Sequence, residues 1–217
     1  MREHYLSLIE MYESIQGETS FAGLMTSFVR LAGCPLRCRW CDSTFSFAKG
    51  EPHSLSSIMN TIEQFGWRHV CVTGGEPLLQ TSVIPLLHTL IEKNYVVSLE
   101  TNGSLSTVDV PEGIHVILDI KCPNSGMSES NDWSNLSRLT SRDEVKFVIT
   151  DRIDYDWAKE TISKYSLFDK AGHVLLSPVA DELDPKDLVD WMVRDKLPAR
   201  LNIQLHKVVW EPLKRGV

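Results

Sequence analysis

The sequence predicts an α/β protein in which parallel strands form a partial, open TIM-like barrel with fewer helices than strands. Short segments rich in β-branched and apolar residues recur along the chain, and amphipathic stretches separate many of them. Two connections, 103–113 and 121–135, carry clusters of Pro, Gly, Ser and Asn where a complete eight-fold barrel would need a helix. We therefore expect the barrel to remain open.

Each predicted strand is a short apolar run that turn-forming or polar residues bound. Val, Ile, Leu and Phe dominate these runs, as is typical of strands that pack in a sheet. In chain order the predicted strands are 26–31 (TSFVRL), 69–73 (HVCVT), 95–100 (YVVSLE), 115–120 (HVILDI), 144–149 (EVKFVI), 173–177 (HVLLS) and 200–205 (RLNIQL).

Helices are predicted where amphipathic stretches follow a capping residue. The predicted helices are 54–65, 82–93, 154–165 and 184–194. Ser54, Asp154 and Asp184 have side chains suited to the N-cap position, and Pro185 suits the first helical turn.

Composition predicts one compact domain spanning 1–217, without export or membrane attachment. The chain has 217 residues, of which 42% are apolar and 24% charged. Charges interrupt the N-terminal apolar runs, unlike a signal peptide, and the stretch 77–91 is too short and polar to span a bilayer. The net charge is -7 and the basic residues form no stripe, which disfavours direct nucleic-acid binding. We expect a cytoplasmic protein that acts on a small molecule.

Polar or Gly/Pro-bearing segments follow several of the predicted strands. In parallel α/β folds the carboxyl ends of the strands share one edge, where ligands bind. Ordinary turns also need Gly, Pro and Asn, but five such segments on one edge favour a binding site. The five segments are 73–77 (TGGEP), 100–103 (ETNG), 119–123 (DIKCP), 177–178 (SP) and 204–207 (QLHK).

Three of the five cysteines, Cys34, Cys38 and Cys41, lie within eight residues of one another. Without a secretory signal, this crowding favours metal binding over disulfides. The spacing fits either an iron-sulfur cluster with one open iron or a zinc site with a fourth ligand from elsewhere. Cys71 and Cys122 stand alone among apolar residues and are interpreted as structural.

The segment CPLRCRWC, which includes Trp40, resembles the signature of the radical S-adenosylmethionine (SAM) superfamily. The segment GGEP at 74–77 resembles the second motif of that superfamily. The resemblance implies a radical SAM core, a [4Fe-4S] cluster on Cys34, Cys38 and Cys41, and SAM chelated at the open iron. A 5'-deoxyadenosyl radical would then abstract hydrogen from the substrate.

The same resemblance implies which residues contact the cofactor. Trp40 is expected against the adenosyl group, and Gly75 with Glu76 at the methionine end. Each has a structural alternative, because Trp40 fits a packed aromatic, Glu76 a solvated carboxylate and Lys121 a surface cation. The implied cofactor-binding residues are Trp40, Asp42, Gly74, Gly75, Glu76, Glu100, Asp119 and Lys121.

A narrower resemblance covers nearly the whole chain. YESIQGETSFAGLMTSFVRLAGC, CDS, TGGEPLLQ, ETNG, KCPNSGM and QLHKVVWEPLKRGV are similar to segments of 7-carboxy-7-deazaguanine synthases. The family contracts 6-carboxy-5,6,7,8-tetrahydropterin to 7-carboxy-7-deazaguanine with loss of ammonia, towards queuosine and related 7-deazapurines. Thr19 departs from the family, which often has glycine there.

The segment 1–25 is expected to bind substrate, and 32–50 to form the cluster loop. Gln16 and Glu18, two residues apart on an expected strand, present an amide and a carboxylate that complement a pterin edge. Arg30 suits a bidentate pair with the substrate carboxylate, although a structural ion pair is the alternative. The implied substrate-binding residues are Gln16, Gly17, Glu18, Arg30, Thr73, His206 and the terminal carboxylate of Val217.

The resemblance also implies Mg2+ at Ser43, with Thr44 as the competing hydroxyl. It further implies a homodimer and a flavodoxin-like electron donor. Two other functions fit parts of the pattern: an activase that makes a glycyl radical on a partner protein, and a non-catalytic zinc-stabilised binding module.

Overall fold

The computed structural model describes residues 4–210 and 216. Its strands are β1 (Tyr5–Ile15), β2 (Met25–Leu31), β3 (Glu51–Ser54), β4 (His69–Gly74), β5 (Val96–Thr101), β6 (His115–Ile120), β7 (Glu144–Ile149), β8 (His173–Pro178) and β9 (Arg200–Leu201). Its helices are α1 (Leu55–Phe65), α2 (Val83–Glu92), α3 (Arg152–Tyr165), α4 (Leu167–Lys170), α5 (Pro185–Asp195) and α6 (Leu205–Val209).

The strands form one sheet in the order β3-β1-β2-β4-β5-β6-β7-β8-β9. Strand β1 pairs antiparallel with β2 and β3, and every other pair is parallel. Because β3 and β9 occupy opposite ends of this order, the barrel is open, as predicted. The connections 103–113 and 121–135 hold only turns and short 3-10 segments in place of helices.

The strands predicted at the positions of β2 and β4 to β8 are confirmed to within about two residues. The predicted strand 200–205 is mostly wrong, because β9 ends at Leu201 and Leu205 begins α6. Strands β1 and β3 were not predicted. Charged and polar residues interrupt the apolar run of β1, whose burial varies along its length.

Alternation along the strands separates two chemically different faces. Val70, Val72 and Leu99 face outward and pack with α1 and α2 in one hydrophobic core. Val145 and Phe147 face outward and pack with α3 and α5 in a second core. The intervening residues face the concave interior and are largely polar, so the sheet keeps its apolar packing on the helix side.

Helix starts agree with the predictions at two positions. Ser54 accepts a hydrogen bond from the Ser57 N–H at the start of α1, and Asp184 caps α5 with Pro185 in the first turn. The prediction that Asp154 caps a helix is wrong, since α3 begins at Arg152 and Asp151 accepts the N–H groups of residues 153 and 154.

Residues 16–24, which connect β1 to β2, fold into the concave interior. Phe21 stacks on His69 at the start of β4, with ring centroids 4.5 Å apart. Gly17 O accepts the Leu205 N–H at 2.8 Å. Gln16 and Glu18 therefore lie beyond the end of β1, and the expectation that they share a strand face is wrong. Thr19 has a left-handed backbone with φ of 66°.

No helix in the described ranges is long and apolar enough to cross a membrane.

Candidate active site

The cysteine-bearing segment lies over the carboxyl edge of the parallel strands. Cys34, Cys38 and Cys41 are free and partly exposed. The Arg39 N–H donates to Ser125 O at 3.1 Å, and the Arg37 side chain donates to Cys34 O at 2.8 Å. The first bond fixes the segment against the loop that follows β6, and the second stabilises the fold of the segment itself.

The three thiols form a suitable donor set for an iron-sulfur cluster. Burial raises the pKa values of Cys38 and Cys41, and the three cysteines are close enough for their charges to interact. Nowhere in 4–210 do three His, Cys, Asp or Glu side chains gather closely enough to ligate one metal ion. In a cubane each thiolate binds a different iron, so wider spacing suits the cluster.

The GGE turn at the end of β4 packs directly against the cysteine segment. A Cβ on Gly75 would lie 2.1 Å from Gly33 O and 2.8 Å from Cys34 Cβ, so only glycine allows this approach. The Glu76 N–H donates to Gly33 O at 2.8 Å. The turn and the cysteine segment therefore form one packed unit.

Glu76 is fully buried, and its carboxylate is hydrogen-bonded to neighbouring residues. Its carboxylate accepts from the Thr101 hydroxyl at 2.9 Å, the Asn102 N–H at 2.7 Å and the Leu78 N–H at 3.0 Å. Burial raises the pKa of Glu76, and these hydrogen bonds oppose the change. The solvated-carboxylate alternative is wrong, because Glu76 ties the ends of β4 and β5 together.

A chain of alternating charges crosses the concave face. Lys146 Nζ lies 2.9 Å from Glu18 Oε2 and 3.6 Å from Asp119 Oδ2. Lys121 Nζ lies 3.0 Å from the same Asp119 oxygen. Asp119 Oδ1 is buried without a hydrogen-bond partner in the described structure, so it offers a free acceptor to a bound molecule. Lys121 has a largely buried side chain, which makes the surface-cation alternative wrong.

Glu18 also connects to the cluster loop. Gln204 Nε2 donates to Glu18 Oε1 at 2.8 Å and to Asp42 Oδ2 at 3.1 Å. Burial alone would raise the pKa of Glu18, but Lys146, with Gln204 and His206, lowers it to about 2. Glu18 is therefore ionised at neutral pH.

Ser43 lies beside a second carboxylate. Its hydroxyl donates to Asp42 Oδ1 at 3.0 Å, and its carbonyl accepts from the Ser46 N–H and hydroxyl. Ser43 is thus both a turn residue and a hydroxyl next to a hard anionic oxygen. Thr44 is exposed and begins the 3-10 segment Thr44–Phe47.

Glu100 joins two of the predicted substrate residues. Gln16 Nε2 donates to its Oε1 at 3.2 Å, and the Thr73 hydroxyl donates to its Oε2 at 2.8 Å. Gln16 Oε1 also accepts the Glu18 N–H at 3.2 Å. The structure therefore brings Gln16, Glu18 and Thr73 to one part of the interior.

Arg30 lies in an ion pair within the sheet. Its Nε donates to Glu10 Oε1 at 2.9 Å, and its Nη2 donates to the Tyr12 hydroxyl at 2.8 Å. Tyr12 stacks on Phe28 at 4.8 Å, and burial raises the pKa of Tyr12 to about 12. The structural alternative for Arg30 is therefore present in the structure, and its substrate role stays a prediction.

His206 packs directly on Gly17. A Cβ at Gly17 would lie 2.0 Å from His206 Nδ1. Burial lowers the pKa of His206, although Glu18 acts in the opposite direction. Trp40 is partly buried with Arg39 over its ring at 5.1 Å. Val217 lies outside the described residues.

Comparison with known proteins places this geometry in a family. The model of the radical SAM superfamily matches residues 29–190. A 7-carboxy-7-deazaguanine synthase of Chlorobaculum tepidum is 42% identical over 98% of this chain and 97% of its own. The chain belongs to the 7-carboxy-7-deazaguanine synthase family. A synthase of Koribacter versatilis is 38% identical over 98% of this chain and the full length of its own.

The fold agrees with that of a solved structure. A crystal structure of QueE from Escherichia coli has a TM-score of 0.77 and 24% identity, covering 92% of this chain and 94% of that one. Membership of the radical SAM superfamily implies a [4Fe-4S] cluster and SAM as cofactors. The predicted family and the predicted cluster and SAM are thereby confirmed.

Several interior residues of this family member were not among the predicted site residues. Lys146 had a visible signal, because it is the single cation within the apolar strand EVKFVI. Asn102, which donates to the Cys34 sulfur at 3.4 Å, and Gln204 lie in the segments 100–103 and 204–207 that favoured a binding site, but neither residue was assigned a role. Their importance depends on contacts between distant parts of the chain.

Proposed function

We propose that this protein converts 6-carboxy-5,6,7,8-tetrahydropterin to 7-carboxy-7-deazaguanine with release of ammonia, towards queuosine and related 7-deazapurines. The observation that carries the proposal is the joint position of Gln16 and Glu18 within the concave interior. Gln16 lies beside the Glu100 carboxylate of β5 and Glu18 beside the Lys146 ammonium of β7. Gln204 connects Glu18 to Asp42 of the cluster loop. The names of the relatives support the same reaction.

Cys34, Cys38 and Cys41 are proposed to hold the cluster, with one iron left for SAM. When bound, the cluster and SAM would supply the radical chemistry that abstracts hydrogen from the substrate. Trp40 is proposed to lie against the adenosyl group, and the GGE turn to receive the methionine end. The proposed cofactor side also includes Asp42, Glu100, Asp119 and Lys121. Asp119 Oδ1 has no hydrogen-bond partner in the described structure, so it is suited to accept a hydrogen bond from a hydroxyl group of the ligand.

The chain's residues bind and orient the pterin. Glu18 is ionised and accepts hydrogen bonds, so it suits the N–H groups of the aminopyrimidinone edge. Gln16 presents a carbonyl and an amide beside it. We propose Arg30 and the Val217 carboxylate as further substrate contacts, with Thr73, Gly17 and His206 shaping the pocket.

Ser43 is proposed to contact Mg2+ together with substrate oxygens. Mg2+ takes few protein ligands and keeps several waters, so one hydroxyl is a sufficient protein contact. The adjacent Asp42 carboxylate supports this site by adding negative charge. Replacing Ser43 with Ala is expected to raise the Mg2+ concentration needed for half-maximal turnover, whereas Thr44→Val should leave it unchanged. Equal effects of both variants contradict this assignment.

We further propose that the enzyme acts as a homodimer in the cytoplasm, as one domain, with a flavodoxin-like electron donor. Reducing conditions keep cluster thiols available. Size-exclusion chromatography with light scattering tests the dimer, and reduction of the cluster by purified flavodoxin tests the donor.

Anaerobic reconstitution followed by turnover tests the main proposal. Protein loaded with iron and sulfide, then given SAM, reductant and the carboxylated tetrahydropterin, should yield 7-carboxy-7-deazaguanine by mass spectrometry. Cys38→Ala should lose both the visible iron-sulfur absorbance and the product, while Cys122→Ser should keep both. Deoxyadenosine without deazapurine would indicate the activase function, and stoichiometric zinc without colour would indicate the binding module.

A further inference from the structure

Lys146 lies between the two halves of the concave site. It projects from the middle of β7 into the interior, and its side chain is 15% exposed. Its ammonium contacts Glu18 at 2.9 Å on one side and Asp119 at 3.6 Å on the other. Burying an unpaired ammonium group costs folding free energy, and the two carboxylates offset this cost for Lys146.

The two acids that Lys146 joins belong to different proposed functions. Glu18 comes from the segment between β1 and β2 and is proposed to bind the pterin. Asp119 comes from the carboxyl end of β6 and is proposed to bind the cofactor. The link spans 128 positions of sequence between Glu18 and Lys146, and no backbone pairing connects β1 with β7.

We propose that Lys146 is a positioning residue that holds the Glu18 and Asp119 carboxylates in one fixed arrangement, so that bound pterin is aligned with the cofactor side of the cleft. The proposal rests on the function given above. Lys146 acts through Glu18 and Asp119 and is not itself required to touch the reacting atoms.

The charge of Lys146 also determines the protonation of Glu18. Lys146 is the largest influence that keeps the Glu18 carboxylate ionised against its burial. Without this cation, burial would raise the pKa of Glu18, and acid would protonate it. The charged and polar groups around the Glu18–Lys146 pair are Asp119 on β6, Lys121 directly after β6, Glu100 on β5, Asn202 after β9, Gln204 and His206 at α6, and Asp42 on the cluster loop.

The experiment measures binding of the carboxylated tetrahydropterin to cluster-loaded protein by anaerobic calorimetry between pH 5 and 8. Lys146→Met is expected to raise the Kd about 10-fold to 100-fold at pH 7, because it removes the charge-assisted hydrogen bond from Lys146 to Glu18. The Kd of this variant should rise further as the pH falls, with an inflection above the native pKa of Glu18. The unaltered protein should lack this Glu18 inflection.

Two further variants separate charge from packing. Lys146→Arg keeps the positive charge and should lack the added inflection, even with a larger Kd. Lys93→Met removes a Lys–Glu pair of 2.6 Å on the surface and should bind as the unaltered protein does. If Lys146→Met does not fold, Lys146→Gln replaces it, with the same expected acid dependence.

The ratio of deoxyadenosine to deazapurine supplies a second measurement. Misalignment of the pterin should raise this ratio in Lys146→Met, because cofactor cleavage continues without productive hydrogen transfer. The inference would be overturned if Lys146→Met, or Lys146→Gln in its place, bound the pterin with a Kd within twofold of that of the unaltered protein and showed no added pH dependence. Failure of the unaltered protein to bind the pterin would instead overturn the proposed function.

Discussion

Asn102 donates its side-chain amide to the sulfur of Cys34 at 3.4 Å, while its backbone N–H donates to Glu76 at 2.7 Å. The residue after β5 thus connects the buried acid of the GGE turn to a proposed cluster ligand. Hydrogen bonds to cysteine sulfur stabilise the more negative, reduced state of a cluster.

Asn102→Ala should therefore lower the cluster's reduction potential. Loss of a hydrogen bond worth about 1 kcal/mol corresponds to a shift of about 40 mV to more negative potential. Anaerobic redox titration followed by electron paramagnetic resonance measures the shift. Ser104→Ala is the control, since Ser104 donates to Asn102 Oδ1 and not to sulfur. An unchanged potential in the alanine variant contradicts the role assigned to this amide.

Glu18 should make stability dependent on acid. Its pKa is lowered from 4.5 to about 2 in the folded chain, so its stabilising contribution is present above pH 4.5 and is lost as the pH falls towards 2. The shift corresponds to about 3 kcal/mol. Urea unfolding of the protein without cluster should give a free energy of unfolding that is larger by this amount for the unaltered chain than for Glu18→Gln at pH 6. This difference should become smaller below pH 4.5. A difference in free energy of unfolding that stays constant with pH would refute the contribution of the ionised Glu18 carboxylate.

Gly17 and His206 should be coupled. Gly17→Ala places a methyl group 2.0 Å from His206 Nδ1, so α6 or the segment 16–24 must move. Such overpacking costs about 1 to 3 kcal/mol. If this cost falls on pterin binding, we expect the KM for the pterin to rise about 5-fold to 150-fold.

A double-mutant cycle isolates this clash. Gly17→Ala in a His206→Ala background should have little additional effect on KM, because the obstructing ring is absent. Equal effects in both backgrounds would place the cause elsewhere.

Thr19 should be strained. It is β-branched and has a φ of 66°, a region that favours glycine. Thr19→Gly should raise the free energy of unfolding by about 0.5 to 1 kcal/mol, after the added flexibility of the unfolded chain is included. Thr19→Ala keeps the Cβ in the same region and should gain less. Chemical denaturation measures the free energy of unfolding of both variants. A lower value for Thr19→Gly than for the unaltered chain would contradict backbone strain at Thr19.

Local sequence was sufficient for much of the fold. The runs at β4 to β8 are apolar and bounded by turn residues, so their positions followed from composition and periodicity. Asp151 and Asp154 show where such reasoning ends. Both suit a cap, but Asp154 is fully buried and accepts the local Thr150 hydroxyl. It also accepts the Asn124 N–H, a contact that only tertiary structure creates.

The site was predictable where motifs are contiguous. The cysteine segment and the GGE turn could be recognised from adjacent residues, and the structure packs them together. The connection of Glu18 to Lys146 could not, because the two residues are distant in sequence and meet only when the segment 16–24 folds inward.

The division between the two sheet faces affects how such an enzyme can change over time. Packing against the helices depends on outward residues such as Val72 and Phe147, whereas the proposed ligand contacts belong to their inward neighbours. Replacement of an inward polar group can alter which molecule is accepted while leaving both apolar layers intact. New chemistry can therefore arise on this scaffold through a few interior substitutions, without rebuilding what keeps the chain folded.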